Sequence, residues 1–252
     1  MRSRKLLSLL LTAAVLAGTI CLPTASALPD HPGEIEHAGY MRGYPDGTFR
    51  PEATLSRAEG IDSLFRSLPL DQRPETFIGY RAFADVPLSS DAWYAFSLMN
   101  LSVLGIIHGY PDNTFRPDQP LTRGELMVLL HRMYPSEGTD VSAFPDVPAD
   151  HWAYPAISAA VSRGWVTGYP DGTFRPDQNM TRVEAAALLG QVLNQHCDRD
   201  FLDNYDQTPS YSTFSDVPPS FWGYDVIMEA SVGHFCIFED GKEVWTRLIL
   251  GA

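Results

Sequence analysis

The chain has little cysteine, and its cysteines form no recognisable site. Of the 252 residues three are cysteine, and only Cys197 and Cys236 lie outside the apolar N-terminal segment. In an exported protein these two can form a disulfide, but two separate buried thiols agree with the sequence equally well. Neither has the His or Cys neighbours of a zinc motif, so the sequence predicts no metal site and no other cofactor.

Basic charge is also scarce, and this argues against one class of partner. The 18 lysines and arginines are outnumbered by 31 aspartates and glutamates, which gives a formal net charge of −13. Nucleic-acid binding depends on basic surfaces that neutralise phosphates, so we expect no nucleic-acid partner. An acidic surface keeps an exported protein soluble. It still permits an anionic ligand wherever basic residues cluster locally.

The long apolar run lies at the N-terminus and has the features of a secretory signal. Three basic residues within 2–5 precede the uncharged segment 6–22, and the small-residue pattern Ala25-Ser26-Ala27 follows. This order predicts a signal peptide over residues 1–27 with cleavage after Ala27. Cleavage removes three of the 18 basic residues and none of the 31 acidic ones, which leaves a net charge of −16. No later stretch is apolar enough to cross a bilayer, so we expect no membrane insertion after cleavage.

The rest of the chain is built from repeats. One string, Gly-Tyr-Pro-Asp-(Gly/Asn)-Thr-Phe-Arg-Pro, is here called the loop motif, and its copies begin at Gly43, Gly109 and Gly168. A second string, Phe-x-Asp-Val-Pro followed by a Trp, is here called the front motif, and its copies begin at Phe83, Phe144 and Phe214. Repeats of this kind bury their apolar faces by stacking on one another, so the chain is best divided into units.

The loop motif predicts a tight turn over an apolar plug. Its first Pro pre-sets φ for a turn, and the position two residues later is Gly or Asn, which tolerate positive φ. Those positions are Gly47, Asn113 and Gly172. The motif's Phe is expected in the core, at Phe49, Phe115 and Phe174. A single Asp is too few carboxylates for a calcium-binding loop of the EF-hand type.

A third recurring string, Ser/Thr-Arg-x-Glu, predicts a capping box that begins a helix. It occupies residues 56–59, 122–125 and 181–184, each followed by an apolar stripe at helical spacing. Its Arg, at Arg57, Arg123 and Arg182, lies where the helix dipole disfavours a cation by ~0.3–1 kcal/mol. Two interpretations are open: an Arg that pairs with a nearby carboxylate, or an anion site in which helix-start amides and the guanidinium hold a carboxylate or phosphate.

The front motif predicts the start of a second helix in each unit. Asp91, Asp150 and Ser220 are the expected N-caps, and Gly105, Gly164 and Gly233 are the expected ends. The motif's Trp, at Trp93, Trp152 and Trp222, lies near the predicted helix start. These indoles can stack on a sugar ring, but we expect burial against the neighbouring repeat for most of them.

On these motifs the chain resembles the S-layer homology (SLH) family from about residue 34 to its C-terminus. The Ser/Thr-Arg-x-Glu strings match that family's Thr-Arg-Ala-Glu signature. The resemblance implies a mainly α fold, with helix–loop–helix units closed into a pseudo-threefold, three-pronged helical bundle. It implies a secreted protein held at the cell wall, in which Arg57, Arg123 and Arg182 bind a pyruvylated secondary cell-wall polysaccharide. A pyruvate ketal presents a carboxylate, which suits a bidentate Arg.

The repeats predict two whole units and two complementary halves. Residues 28–82 are a first unit with a back half only, residues 83–143 and 144–213 are whole units, and residues 214–252 are a front half with a degenerate back half. In that last part, residues 238–242 align with the loop motif. Thr246-Arg247 echoes the capping motif, so Arg247 is a further candidate ligand residue. We expect the last front half to complete the first unit.

Other functions stay open on the sequence. A glycan-acting enzyme is one alternative, but the chain has no Gly-x-Ser-x-Gly, His-Glu-x-x-His or phosphate loop, and the repeats leave little room for a catalytic domain. Direct binding to peptidoglycan is another. The linkers are short and polar and contain no cargo domain, so other surface proteins are possible partners.

Overall fold

The computed structural model describes residues 33–74, 76, 78–87, 90–138, 144–205 and 214–249. The predicted signal peptide lies outside the described residues. Within the described part, no helix is long and apolar enough to cross a membrane.

The described chain is mainly helical, as predicted. Its helices are α1 (Arg57–Ser67), α2 (Ala95–Val103), α3 (Arg123–Met133), α4 (Tyr154–Ser162), α5 (Arg182–Leu193), α6 (Arg199–Asn204) and α7 (Tyr224–Ser231). Its strands are β1 (Ile35–His37), β2 (His234–Glu239) and β3 (Lys242–Leu248), which form one antiparallel sheet in the order β1-β2-β3. The pairs α1 with α2, α3 with α4 and α5 with α7 pack against each other.

Helices α1, α3 and α5 begin at the three predicted capping boxes. At each, the Ser or Thr hydroxyl accepts a hydrogen bond from the backbone N–H three residues on, and the Glu carboxylate accepts one from the cap residue's own N–H. Two of the orphan amides of each helix start are thereby satisfied. The apolar stripes that follow are buried, which confirms their predicted place in the core.

The short segments just before these helices, which contain Leu55, Leu121 and Met180 and are here called strips, form a closed ring of backbone hydrogen bonds. The N–H of Leu55 donates to the carbonyl of Met180 at 2.8 Å, that of Met180 to Leu121 at 3.0 Å, and that of Leu121 to Leu55 at 2.9 Å. All three side chains are buried. Because each strip donates to one neighbour and accepts from the other, the repeats close into the pseudo-threefold bundle that the resemblance implied.

The Asp of each front motif holds a loop motif in place, a role that the sequence did not reveal. Its carboxylate accepts the backbone N–H groups of the loop motif's Phe and Arg at 2.6–3.0 Å. The sets are Asp85 with Phe115 and Arg116, Asp146 with Phe174 and Arg175, and Asp216 with Phe49 and Arg50. The last set joins the final front motif to the first loop motif. It supports the proposed unit boundaries and the pairing of the two half units, which stay a prediction.

The loop motif has the predicted conformation, with one addition. Gly47, Asn113 and Gly172 have φ of 77°, 60° and 82°, and the three Phe plugs are fully buried. The Arg that follows each plug also has positive φ, near 58°, which was not predicted. In that conformation Arg50, Arg116 and Arg175 lie over the motif's Tyr ring and pair with its Asp. These two contacts offset the strain of a left-handed Arg.

The predicted N-caps Asp91, Asp150 and Ser220 are wrong. Helices α2, α4 and α7 begin four residues after these positions, and no side chain caps them. A turn replaces the cap, because the first helical N–H of each donates to the carbonyl three residues before it. Gly105 and Gly164 follow α2 and α4 with positive φ, as predicted. Helix α7 ends at Ser231, and Gly233, which lies between the cap residue Val232 and β2, does not have the positive φ of the other two glycines.

The C-terminal segment is a β-hairpin and not a degenerate loop motif and capping motif. Asp240 and Gly241 both have positive φ, at 49° and 78°, and connect β2 to β3. This Asp-Gly pair suits the type I′ turn, whose twist matches that of the strands on either side. The N-terminal strand β1 adds to the hairpin by pairing with β2. Arg247 therefore lies in a strand and not at a helix start.

The contact between the two ends of the chain yields a stability prediction. A Cβ on Gly43 would lie 2.2 Å from the ring of Phe214, which covers the first loop motif. We expect Gly43→Ala to destabilise the fold by ~1–3 kcal/mol, because the ring must move inside a packed core. Gly190→Ala is the matched control, since its Cβ would meet no atom closer than 3.5 Å. Equal melting temperatures for the two variants would contradict the contact.

Candidate functional site

Three equivalent sites, here called the grooves, lie where neighbouring repeats meet, and each contains an Arg, a Tyr and a Glu. The Arg begins a capping-box helix, the Tyr comes from the loop motif of another repeat, and the Glu belongs to that repeat's capping box. The first groove is Arg57 with Tyr110 and Glu125, the second is Arg123 with Tyr169 and Glu184, and the third is Arg182 with Tyr44 and Glu59.

The third groove is closed by a fully paired arginine. Arg182 is only 3% exposed, and its Nε donates to the Phe49 carbonyl at 2.8 Å. Its Nη2 donates to the Arg42 carbonyl at 2.6 Å, and its Nη1 to Glu59 Oε1 at 2.9 Å. The Tyr44 hydroxyl donates to the same Glu59 oxygen. Burial alone would raise the pKa of Glu59, but these hydrogen bonds and the Arg182 charge outweigh it and hold the pKa below its usual value.

The first groove repeats this pairing and opens into a cavity. Arg57 donates from Nε to the Phe115 carbonyl at 2.9 Å and from Nη1 to Glu125 Oε1 at 3.0 Å. The Tyr110 hydroxyl reaches the same Glu125 oxygen at 3.1 Å. Beside these groups lies an open cavity of about 210 Å³, which Trp152 also lines. The ion pair is thus accessible from one side.

The second groove has the same residue types, but its arginine is unpaired. The Arg123 guanidinium lies over the rings of Phe174 and Tyr169, at 4.5 and 5.4 Å from their centroids. Its Nε is buried and has no hydrogen-bond partner, and within the described residues it has no carboxylate at ion-pair distance. Burial lowers the pKa of Arg123. A buried donor without a partner is costly, so this group is suited to an external acceptor.

The helix-start amides do not contribute to these grooves, so that part of the predicted anion site is wrong. The N–H groups of Arg57, Arg123 and Arg182 donate to carbonyls of a neighbouring strip at 2.8–3.0 Å, and the next amide in each helix does the same at 2.7–3.0 Å. The amide of each capping-box Glu is taken by the cap hydroxyl. Any anion in these grooves must therefore be held by side chains.

The alternative of an Arg paired with a carboxylate is observed for Arg57 and Arg182. In each pair the Glu serves twice: Oε2 accepts the N–H of its own cap residue, and Oε1 accepts the Arg of the other repeat. The ligand-binding role of all three arginines stays a prediction. The groove tyrosines were missed from the sequence, although a Tyr occupies the same position of every loop motif.

The three front-motif tryptophans are exposed, so the expectation that most are buried is wrong. Trp93, Trp152 and Trp222 are 57%, 54% and 68% exposed. They lie in the turn that precedes each helix and not on the helix face that packs inward. Trp152 borders the first groove, where its ring can stack on a sugar. Arg247 lies on β3, pairs with Glu34 at 3.4 Å and covers the Phe235 ring.

Comparisons with known proteins agree with this geometry. The S-layer homology domain model matches residues 34–59, 82–127 and 143–186. Cell surface glycoprotein 1 of Acetivibrio thermocellus is 34% identical over 239 residues, which cover 90% of this chain and 10% of that protein. The Cellulosome-anchoring protein of the same organism is 32% identical over 223 residues, which cover 86% of this chain and 47% of that protein. Amylopullulanase of Thermoanaerobacterium thermosulfurigenes is 32% identical over 162 residues, which cover 62% of this chain and 8% of that protein.

The chain spans less than half the length of each of these relatives. The similarity therefore concerns the repeats that this chain shares with longer proteins. Because the family's domain is matched at three places, and because these repeats close into one helical bundle, the chain belongs to the S-layer homology domain family.

Proposed function

We propose that this chain attaches non-covalently to the cell wall by binding an anionic secondary polysaccharide, with Arg123 of the second groove as the main contact. The family and the named relatives support attachment at the cell surface. The observation that carries the finer proposal is the half-buried guanidinium of Arg123 beside Tyr169, whose buried Nε has no hydrogen-bond partner among the described residues. It is a local site for an anion on a chain whose net charge is −13.

The chemistry of the groove favours a carboxylate on a sugar. A guanidinium presents a planar fork of donors that matches the two oxygens of a carboxylate. A charged hydrogen bond inside a partly dry groove is stronger than the same bond in water. The Tyr169 ring next to Arg123 adds an apolar face for the sugar. A pyruvate ketal on a polysaccharide combines both features, so it is the ligand class that we propose.

The first and third grooves are expected to bind more weakly. A ligand carboxylate there must compete with Glu125 for Arg57, or with Glu59 for Arg182. The third groove is the more closed of the two, because Arg182 is almost wholly buried. A polymer that engages the second groove and then the first would still gain from their proximity. The three grooves are therefore proposed to differ in affinity despite their common residue types.

Arg123→Ala is expected to weaken binding of a disaccharide that carries a pyruvate ketal by about 10- to 100-fold. The loss follows from removing one charged hydrogen-bonding group, worth ~1.5–3 kcal/mol. Isothermal titration calorimetry gives the affinity. The matched control is Arg163→Ala, which removes the same charge from a half-exposed Arg over Trp165, outside all three grooves. Equal affinity in wild type and Arg123→Ala would refute the assignment.

A sedimentation assay separates this function from its alternatives. Purified wall sacculi should pull down the protein, and removal of the secondary polymer should abolish the effect. Sedimentation without that polymer would favour direct binding to peptidoglycan. A zymogram tests for glycan cleavage, because one relative is named as an amylopullulanase. We propose a non-enzymatic role, with other surface proteins as the partners that the chain holds at the wall.

A further inference from the structure

The small sheet brings together four side chains from the two ends of the described chain. His37 comes from β1, His234 and Cys236 from β2, and Glu243 from β3, and we call these four residues the sheet cluster. Each offers one metal-ligating atom, and these atoms all lie within 4.8 Å of one another. His37 and Glu243 are 206 positions apart. His234, Cys236 and Glu243 lie within residues 234–243, but their spacing matches no zinc motif, and the distant His37 completes the cluster only in the folded chain.

The hydrogen bonds of His234 leave a lone pair that needs a cation. Its Nδ1 lies 2.9 Å from the Val232 carbonyl, and its Nε2 lies 2.8 Å from Glu243 Oε1. Both of these oxygens are acceptors, but a neutral imidazole has only one N–H to donate. When Nδ1–H donates to Val232, the Nε2 lone pair faces a carboxylate. Either a second proton or a metal ion between Nε2 and Oε1 resolves that contact.

Neighbouring residues orient His234 and Glu243 in the way that hydrogen-bond partners orient the ligands of a metal ion. The Val232 carbonyl fixes the tautomer in which Nε2 is free to bind. The His196 N–H donates to Glu243 Oε2 at 2.8 Å, which holds Oε1 toward the histidines. The Trp245 ring stacks on His234 at 3.7 Å between centroids and fixes the plane of the imidazole.

A buried carboxyl group beside the sheet cluster is a second, independent observation that points to a cation. Glu229 is 3% exposed, and neither of its oxygens has a hydrogen-bond partner in the part of the chain that the structure describes. Its Oε1 lies 3.8 Å from His234 Nε2, on the same side as the cluster. Buried polar atoms without partners are rare in folded proteins, and each requires a reason. A positive ion at the cluster supplies one.

We propose that the sheet cluster binds one Zn²⁺ ion through His37, His234 Nε2, Cys236 Sγ and Glu243 Oε1. Imidazole, thiolate and carboxylate ligands in a set of four suit tetrahedral zinc. Ideal zinc bond lengths give ligand spacings of about 3.3 Å between nitrogen and oxygen and about 3.6 Å between nitrogen and sulfur. In the cluster, His37 Nδ1 and His234 Nε2 each lie 2.8 Å from Glu243 Oε1, and Cys236 Sγ lies 3.6 Å from His37 Nδ1. The nitrogen-to-oxygen distances must therefore increase by about half an ångström when zinc binds, whereas the nitrogen-to-sulfur distance already fits.

The charges and the position of the site indicate a structural ion. A thiolate and a carboxylate together neutralise Zn²⁺, so the buried site carries no net charge, and the thiol proton leaves as the metal binds. With four protein ligands there is no open position for a substrate. The ligands come from all three strands, so the ion fastens the N-terminal strand to the C-terminal hairpin.

The first test is titration of the full chain, stripped with chelator, with zinc chloride. We expect one equivalent to bind and to raise the melting temperature by several degrees. Cobalt(II) in place of zinc should give the absorption of a tetrahedral site and a thiolate-to-metal charge-transfer band. Absence of a stoichiometric site in the folded wild type would overturn the proposal.

The second test compares the two cysteines. Cys236→Ser should lose the charge-transfer band and weaken zinc binding by about 100-fold or more. Cys197→Ser is the matched control and should keep both, since Cys197 is not one of the four ligands. The melting temperature of metal-free Cys236→Ser confirms that it folds. If Cys236→Ser misfolds, His37→Gln at the half-buried edge of the cluster should show the same loss of affinity. Equal affinity of the wild type and the ligand variant would overturn the proposal.

Discussion

Deleting residues 214–252 is expected to abolish cooperative unfolding of the remaining chain. The deletion removes Asp216, which holds the first loop motif, and α7, which packs against α5. It also exposes the partners of large buried side chains, among them Phe214, Tyr224 and Ile227. The described part of this segment contains nine large buried side chains, namely Phe214, Val217, Tyr224, Ile227, Met228, Val232, Phe235, Trp245 and Leu248. At ~1.5–3 kcal/mol for each, their combined loss is roughly 13–27 kcal/mol, which matches or exceeds the ~5–15 kcal/mol margin of a typical domain. Calorimetry and urea unfolding measure the change.

Matched point variants test the same pairing in case the truncated chain fails to fold for an unrelated reason. Phe214→Ala and Phe83→Ala remove equivalent rings, which pack on Phe49 and Phe115 at 5.2 and 5.8 Å between centroids. Each should cost ~3–5 kcal/mol. If the truncated chain keeps its melting temperature and Phe214→Ala is neutral while Phe83→Ala is not, the proposed pairing of the two half units is wrong.

Arg182→Ala is expected to destabilise the protein by ~3–5 kcal/mol, the cost of breaking a buried ion pair from one side. The substitution leaves Glu59 without its charge partner, and it removes the donors to the carbonyls of the buried Phe49 and of Arg42. In a chain of this length the melting temperature should fall by ~6–20 °C. Arg123→Ala should cost far less, because that guanidinium forms no comparable pair within the described residues.

A double variant separates the ion pair from packing. If the charge left on Glu59 accounts for much of the loss, Glu59→Gln in the Arg182→Ala background should recover part of it. Arg123→Ala is the internal reference, since it removes the same side chain at the equivalent position. Equal destabilisation by Arg123→Ala and Arg182→Ala would mean that the ion pair of Arg182 with Glu59 does not contribute to the free energy of unfolding.

The sequence predicted what depends on local chemistry. The capping boxes, the positive φ of Gly47, Asn113 and Gly172, and the buried Phe plugs are all decided within a few residues of chain. The ends of α2 and α4 at Gly105 and Gly164 follow from the same kind of rule. The closed bundle followed from the family resemblance and not from these patterns.

The errors arose where distant segments decide the outcome. Residues 238–242 align with the loop motif, but the Asp-Gly pair and the pairing with β1 make a hairpin there. The N-caps Asp91, Asp150 and Ser220 are an exception, because they failed for a local reason: a turn satisfies the helix start without them. The Arg–Glu pairs of the grooves join residues 68 and 123 positions apart. No spacing rule within one repeat could have matched each Arg to its Glu.

The closed ring of Leu55, Met180 and Leu121 has a mechanical consequence. An open array of repeats can fray from either end, because its terminal repeat has only one neighbour. In this ring every strip has a neighbour on both sides, so no repeat is terminal. A pulling force that reaches one strip is therefore shared with the other two, and the bundle resists peeling until the ring itself breaks.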